Sequence, residues 1–171
     1  PTFQRLTEAF DPLGVVIDLG DYHYTRQTLY LSSDPSKIIN LQGIYTWGSY
    51  FNGRLNSGDW KLQFAPIPRI SLTGRFNRNH FIRVGQAQTT STVDLYSIEG
   101  RFALNPRLQL IGFFQKNSDN HSQNYNIRLA WEYEPLSYIY FVYNHQGFDD
   151  PFQKTRTEDH SFAKISYLKQ F

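Results

Sequence analysis

Cysteine is absent from all 171 residues, and so is methionine. The first absence excludes a disulfide framework, a thiolate zinc site and a cysteine nucleophile. The second extends to position 1. With neither an initiator methionine nor a charged-then-apolar leader, the chain reads as one from which a signal peptide or more has been removed. No run approaches 18 consecutive apolar residues, which excludes a membrane-spanning helix. Charge of one sign is also scarce. A net charge of +2, with no basic cluster among the aromatics, gives no reason to expect nucleic acid as a partner. Gly-x-Ser-x-Gly, phosphate-loop and dinucleotide patterns are all missing. Glu132 and Glu134 are spaced like a carboxylate pair, but they flank a turn rather than a cleft. Neither enzymatic activity nor a cofactor is expected.

What the chain does have is aromatic side chains, 17% of residues and mostly Phe and Tyr, within a hydrophobic fraction of only 40%. Together with a mean hydropathy of −0.52, this suits strands with one apolar and one polar face, in a single domain. Residues 1–20 read as an irregular lead-in with a turn at Asp11-Pro12. From Asp21 to Phe171 nine strand-like runs follow, near 21–33, 37–51, 55–66, 69–80, 90–104, 107–117, 122–134, 137–146 and 160–171. Five alternate with a period of two. In 122–134, Tyr125, Ile127, Leu129, Trp131 and Tyr133 oppose Asn126, Arg128, Ala130 and Glu132. Trp60, Leu62 and Phe64 oppose Lys61 and Gln63. Ile70, Leu72 and Phe76 oppose Thr73 and Arg75, and Tyr96, Ile98 and Phe102 oppose Glu99 and Arg101. Ile39, Leu41, Tyr45 and Trp47 oppose Asn40, Gln42 and Thr46. The runs at 21–33, 107–117 and 137–146 have no readable phase.

The breaks fall into two alternating sets. Those near 34–37, 66–69, 105–106 and 134–137 are short and centred on proline, while those near 50–54, 81–91, 117–122 and 145–160 are mostly longer and more polar. Short turns at one end and long loops at the other describe an antiparallel up-and-down transmembrane β-barrel of the bacterial outer membrane. A soluble β-sandwich is the competing fold, but its strands average about 5–6 residues against the about 9–11 a tilted strand needs to cross lipid. Tyr45 and Trp47 lie before a polar loop and Trp131 and Tyr133 before a short turn, as an aromatic girdle at each membrane boundary requires. The chain closes on residues 161–171 (SFAKISYLKQF), where Ile165, Tyr167 and Phe171 share one face.

Residues 104–118 (LNPRLQLIGFFQKNS) and 126–144 (NIRLAWEYEPLSYIYFVYN), with Gly20-Asp21-Tyr22 and the closing 164–171, resemble the C-terminal barrel region of a family of large Gram-negative outer-membrane proteins. That family carries a domain-of-unknown-function label, and its members often have an N-terminal domain resembling carbohydrate-binding modules. The resemblance extends over residues from about 10 to 171. It implies an outer-membrane location, lipid and the barrel-assembly machinery as partners, and a C-terminal aromatic strand read as an assembly signal. It also implies that this chain is the end of a longer barrel. Nine strands is an odd number, whereas bacterial single-chain barrels are even. A tenth strand from residues 1–20, further strands of the same protein, or another polypeptide would complete the wall.

If the apolar faces meet lipid, the lumen receives Lys61, Arg75, Glu99, Arg101, Arg128 and Glu132, which are expected to pair across neighbouring strands. The loop at 145–160 gathers His145, Asp149, Asp150, Glu158, Asp159 and His160, but their spacing matches no metal motif. The expected function is a membrane-embedded channel wall or scaffold. The alternative is a non-conducting anchor for a surface glycan-binding domain.

Overall fold

Alternation becomes strands almost run for run. The computed structural model describes residues 2–9, 15–119, 121–148 and 156–168. Its strands are β1 (Thr2–Leu6), β2 (Gly20–Tyr24), β3 (Arg26–Ser32), β4 (Ile39–Tyr50), β5 (Gly53–Ile67), β6 (Ile70–Val84), β7 (Thr89–Asn105), β8 (Leu108–Asn117), β9 (Ser122–Glu134), β10 (Ser137–Phe148) and β11 (Arg156–Ser166). Strands β3 to β11 form one nine-stranded antiparallel sheet in strict chain order, and β1 and β2 form a separate pair. The expected all-β, up-and-down antiparallel architecture is therefore present. Among the described residues β3 and β11 are not bonded to each other, so the sheet is open. From β4 onward the strands run from 10 to 17 residues, well beyond the usual about 5–6.

The first run divides at Thr25. Its amide donates to Ser49 Oγ at 2.7 Å, and its carbonyl accepts the Ser49 amide at 3.0 Å. Before this point the chain leaves β4 and pairs with β1, Thr2 opposite Tyr24 and Leu6 opposite Gly20. Gly48 permits the crossing. Its φ is +141°, and a Cβ there would lie 2.3 Å from the Thr25 carbonyl oxygen. The lead-in thus contains a strand, yet among the described residues it adds no tenth strand to the main sheet.

The turns narrow the expected contrast in loop length without removing it, since residues 118–121 between β8 and β9 and the connection from Phe148 to Arg156 still exceed the two-residue turns of the other end. At one end β3–β4 is joined by residues 33–38, and β5–β6, β7–β8 and β9–β10 by two residues each, at 68–69, 106–107 and 135–136. At the other end Phe51 and Asn52 alone join β4 to β5, and residues 85–88 join β6 to β7. The run expected as a loop at 81–91 is mostly strand, because Val84 and Thr89 remain paired. Phe51 occupies the left-handed region at φ 49°, which disfavours a bulky side chain. Its ring is 7% exposed and packs on Tyr22 and Tyr50, and this burial offsets the strain.

In the 33–38 turn, Asp34 Oδ1 accepts the Ser36 amide at 2.9 Å and the Ser36 hydroxyl at 2.7 Å. These bonds hold its carboxyl below the usual aspartate range. A depressed native pKa stabilises the turn above the unfolded value of about 3.9 and loses that contribution as pH falls through the native value. Acid titration of Asp34 by carbon-detected NMR is expected to give a pKa below that of a denatured control. Ser36→Ala is expected to bring it back toward the control.

The buried core lies at the end of the sheet where β4 meets β5 and β6 meets β7. It comprises Val15, Ile17, Phe51, Leu55, Phe81, Val84 and Val93, with Leu6, Tyr22 and Tyr50 packed against it. Leu55 stands opposite Phe81. Residues 15–17 are held over these tips by the Gln86 amide, which donates to the Val16 carbonyl at 3.1 Å. Asn52 and Gly85 exchange a pair of hydrogen bonds beneath them, at 2.9 and 3.0 Å. An apolar segment here closes a small hydrophobic cluster on an otherwise polar face.

Candidate functional site: the polar face of the sheet

Because side chains alternate, register determines which residues share a face. One rung runs Ile39, Phe64, Leu72, Gly100, Gly112, Ile127, Tyr143, and the next runs Leu41, Leu62, Gly74, Ile98, Phe114, Tyr125. This face is apolar and uncovered: Leu62 is 51% exposed, Ile98 50% and Ile165 70%. The opposite face carries the rung Gln42, Lys61, Arg75, Ser97, Gln115, Asn124, Gln146. Below it runs Asn40, Gln63, Thr73, Glu99, Phe113, Asn126, Asn144. Phase was unreadable in β8 and β10 because large side chains occupy both faces. Pairing settles it: Ile111 and Phe113 join the polar face through Arg101 and Glu99, and Tyr140 and Val142 join it through Ala130 and Arg128. In the same way Leu29 and Leu31 of β3 share the apolar face with Tyr45.

The apolar band crosses the sheet obliquely. In β4 its centre is Gly43, midway between Ile39 and Trp47, and in β10 it is Phe141, between Ile139 and Tyr143. Following the ladder from Gly43 leads through Trp60, Phe76, Tyr96, Lys116 and Gln123 to Gly147. Gly147 lies six residues past Phe141 (147 − 141) after six strand-to-strand steps, so the band drifts by one residue per strand. With a rise of about 3.3 Å per residue and about 4.8 Å between strands, the drift corresponds to strands inclined roughly 35° from the perpendicular to the band.

Aromatic residues mark both margins of the band. Tyr45 stacks on Trp47 at 5.5 Å, and Trp131 meets Tyr133 edge-on at 6.3 Å. The Tyr133 hydroxyl donates to the Ser166 carbonyl at 3.3 Å. Trp60, Phe76 and Tyr96 belong with Tyr45 and Trp47, although alternation alone marked them only as apolar. Trp60 lies across Gly43, where a Cβ would sit 2.4 Å from its ring, and Phe76 stacks on Tyr96 at 4.8 Å. Beyond this margin the outward face turns polar, with Arg78 donating two 2.8 Å bonds to Asp94. Of the closing signal, Ile165 pairs with Ile139 and Tyr167 is exposed, while Phe171 lies outside the described residues.

The six expected lumenal residues all lie on the polar face, but their pairing differs from expectation. Lys61, Arg75, Glu99 and Arg101 line one cavity of about 620 Å³ bounded by β5, β6, β7 and β8. Arg101 Nε donates to Glu99 Oε1 at 2.6 Å within the same strand rather than across strands. Two residues of separation place both on one side of β7 with room for a direct contact. Arg128 lies over the Tyr140 ring at 5.4 Å. Glu132 caps a turn, its Oε1 accepting the Leu136 amide at 2.9 Å, where Leu136 takes a φ of 62°. Lys61 and Arg75 stand directly opposite each other, and among the described residues neither side chain has an ion-pair or hydrogen-bond partner.

In the 145–160 loop region, His145 Nδ1 is 2.7 Å from Asp159 Oδ1 and His160 is 3.9 Å from Glu158. Among the described residues no three such groups could hold a metal ion, and Asp149 and Asp150 lie outside them. Comparison with protein-family models, curated proteins and solved structures gives no match.

Proposed function

We propose that the sheet is part of the wall of a bacterial outer-membrane β-barrel, with its apolar face against lipid and its polar face toward the lumen, acting as a channel wall or scaffold. The observation that carries this reading is the exposed apolar band, which drifts one residue per strand from β4 to β10. A membrane barrel requires that drift, because its strands tilt by about 35–45° while lipid imposes a level band. A sandwich would cover such a face with a second sheet. Both open edges need partners in lipid, where unsatisfied backbone groups cost several kcal/mol each. Nine antiparallel strands make β3 and β11 run the same way, so antiparallel closure takes an odd number of further strands, from this protein or another chain. Barrel-assembly machinery would insert such a wall.

The absence of cysteine allows single labels to be read without background. Spin labels at Ile98→Cys and Ile127→Cys, in protein refolded into phospholipid vesicles, are expected to collide mainly with oxygen. Labels at Ser97→Cys and Gln115→Cys are expected to collide mainly with a water-soluble nickel chelate. Water-like accessibility at all four sites, in protein that stays soluble without detergent, would refute the reading.

A second reading is a non-conducting anchor for a surface domain. The cluster of Val15, Ile17, Phe81 and Val84, which fills one end of the polar face, favours it. Planar-bilayer recordings separate the two, since a plugged wall gives no stable open-channel current.

A further inference from the structure

Two cations facing each other across neighbouring strands destabilise a sheet unless something negative lies between them. Lys61 and Arg75 are such a pair, and among the described residues no carboxylate reaches either. The cavity's two acidic side chains are otherwise engaged: Glu99 is bound by Arg101, and Asp59 accepts from Asn77 at 3.3 Å one rung away. Of the five charges lining the cavity, Lys61, Arg75 and Arg101 outnumber Asp59 and Glu99 by one. Neutral donors flank the pair on its own rung, Gln42 beside Lys61, and Ser97 then Gln115 beside Arg75.

We propose that this rung is a binding site for a small oxyanion, a phosphate- or carboxylate-bearing solute, held between the Lys61 ammonium and the Arg75 guanidinium. The guanidinium presents a planar fork that matches two oxygens, and the ammonium adds a compact charge from the opposite strand. Ser97 and Gln115 supply hydroxyl and amide donors to the oxygens that remain. The cavity volume of about 620 Å³ admits a solute of metabolite size. The inference builds on the lumenal reading of this face, where the site would select anions entering from water.

The test is calorimetric titration of the detergent-refolded 171-residue chain with inorganic phosphate and, separately, with succinate, at low ionic strength. Binding of at least one is expected, and which one binds identifies the source chemistry. Lys61→Gln and Arg75→Gln are each expected to weaken it about ten-fold or more, as loss of a charge-assisted bond requires. Lys61→Arg, which keeps the charge, is expected to retain binding. Without the anion, Lys61→Gln is expected to raise the thermal midpoint by relieving repulsion. No binding of either probe overturns the site, as does equal binding by Lys61→Gln or loss in Lys61→Arg. The spin-label measurement is independent: water-like labels with intact phosphate binding would remove the membrane reading and leave the site.

Discussion

Leu72→Arg is expected to lower folding stability in phospholipid vesicles by about 2–4 kcal/mol, the cost of a cation near the middle of the lipid-facing band. Leu72 is 48% exposed on the apolar face, between Phe64 on β5 and Gly100 on β7. The adjacent substitution, Thr73→Arg, is expected to be near neutral. Thr73 points the other way, between Gln63 and Glu99, so its new guanidinium meets water and a carboxylate. Each variant gains one arginine, at adjacent positions of β6 that lie on opposite faces. Urea-dependent folding into vesicles, followed by tryptophan fluorescence, measures both. Equal losses would mean that the two faces see the same solvent, which would contradict a lipid-facing band.

Phe81→Ala is expected to cost about 3–5 kcal/mol through lost burial and the cavity left behind. Phe81 is 2% exposed and anchors the cluster that holds Val15 and Ile17 over the β4–β5 and β6–β7 tips. Phe81→Leu, which keeps most of the volume, is expected to cost less than about 1.5 kcal/mol. Because Ile17 belongs to the same cluster, Ile17→Ala is expected to add less in the Phe81→Ala background than alone. In bilayer recordings, current appearing in Phe81→Ala but not in the parent chain would assign residues 15–17 as the block. Strict additivity of the two substitutions would mean that the segment and Phe81 do not share a core.

Sequence reading reached the strands because their residue types and spacing are local properties. Tyr125 to Tyr133 alternate without interruption, and β9 spans Ser122–Glu134 as that pattern requires. The grouping of Lys61, Arg75, Glu99 and Arg101 was legible for the same reason, since each is next to at least one large apolar residue, Trp60 and Leu62, Phe76, Ile98 and Phe102 respectively. It failed at Ile111-Gly112-Phe113-Phe114, where apolar residues follow one another and a period of two has no phase to show. The 81–91 segment was misjudged because Arg83, Thr89, Thr90 and Ser91 resemble loop residues. Their polarity instead reflects strands β6 and β7 continuing beyond the apolar band, with only residues 85–88 between them.

By itself, then, the sequence determined an all-β chain of long two-faced strands in up-and-down order, because alternation and proline-centred turns are written in neighbouring residues. The tertiary structure decided what depends on pairing between distant residues. Register placed Lys61 against Arg75 and, among the described residues, left both without a carboxylate, while Glu99 turned to Arg101 two residues along its own strand. Register also inclined the apolar band across the sheet, since drift per strand exists only once strands are aligned. The buried cluster, finally, joins Val15 and Ile17 to Phe81 and Val93 over separations that no local pattern reports.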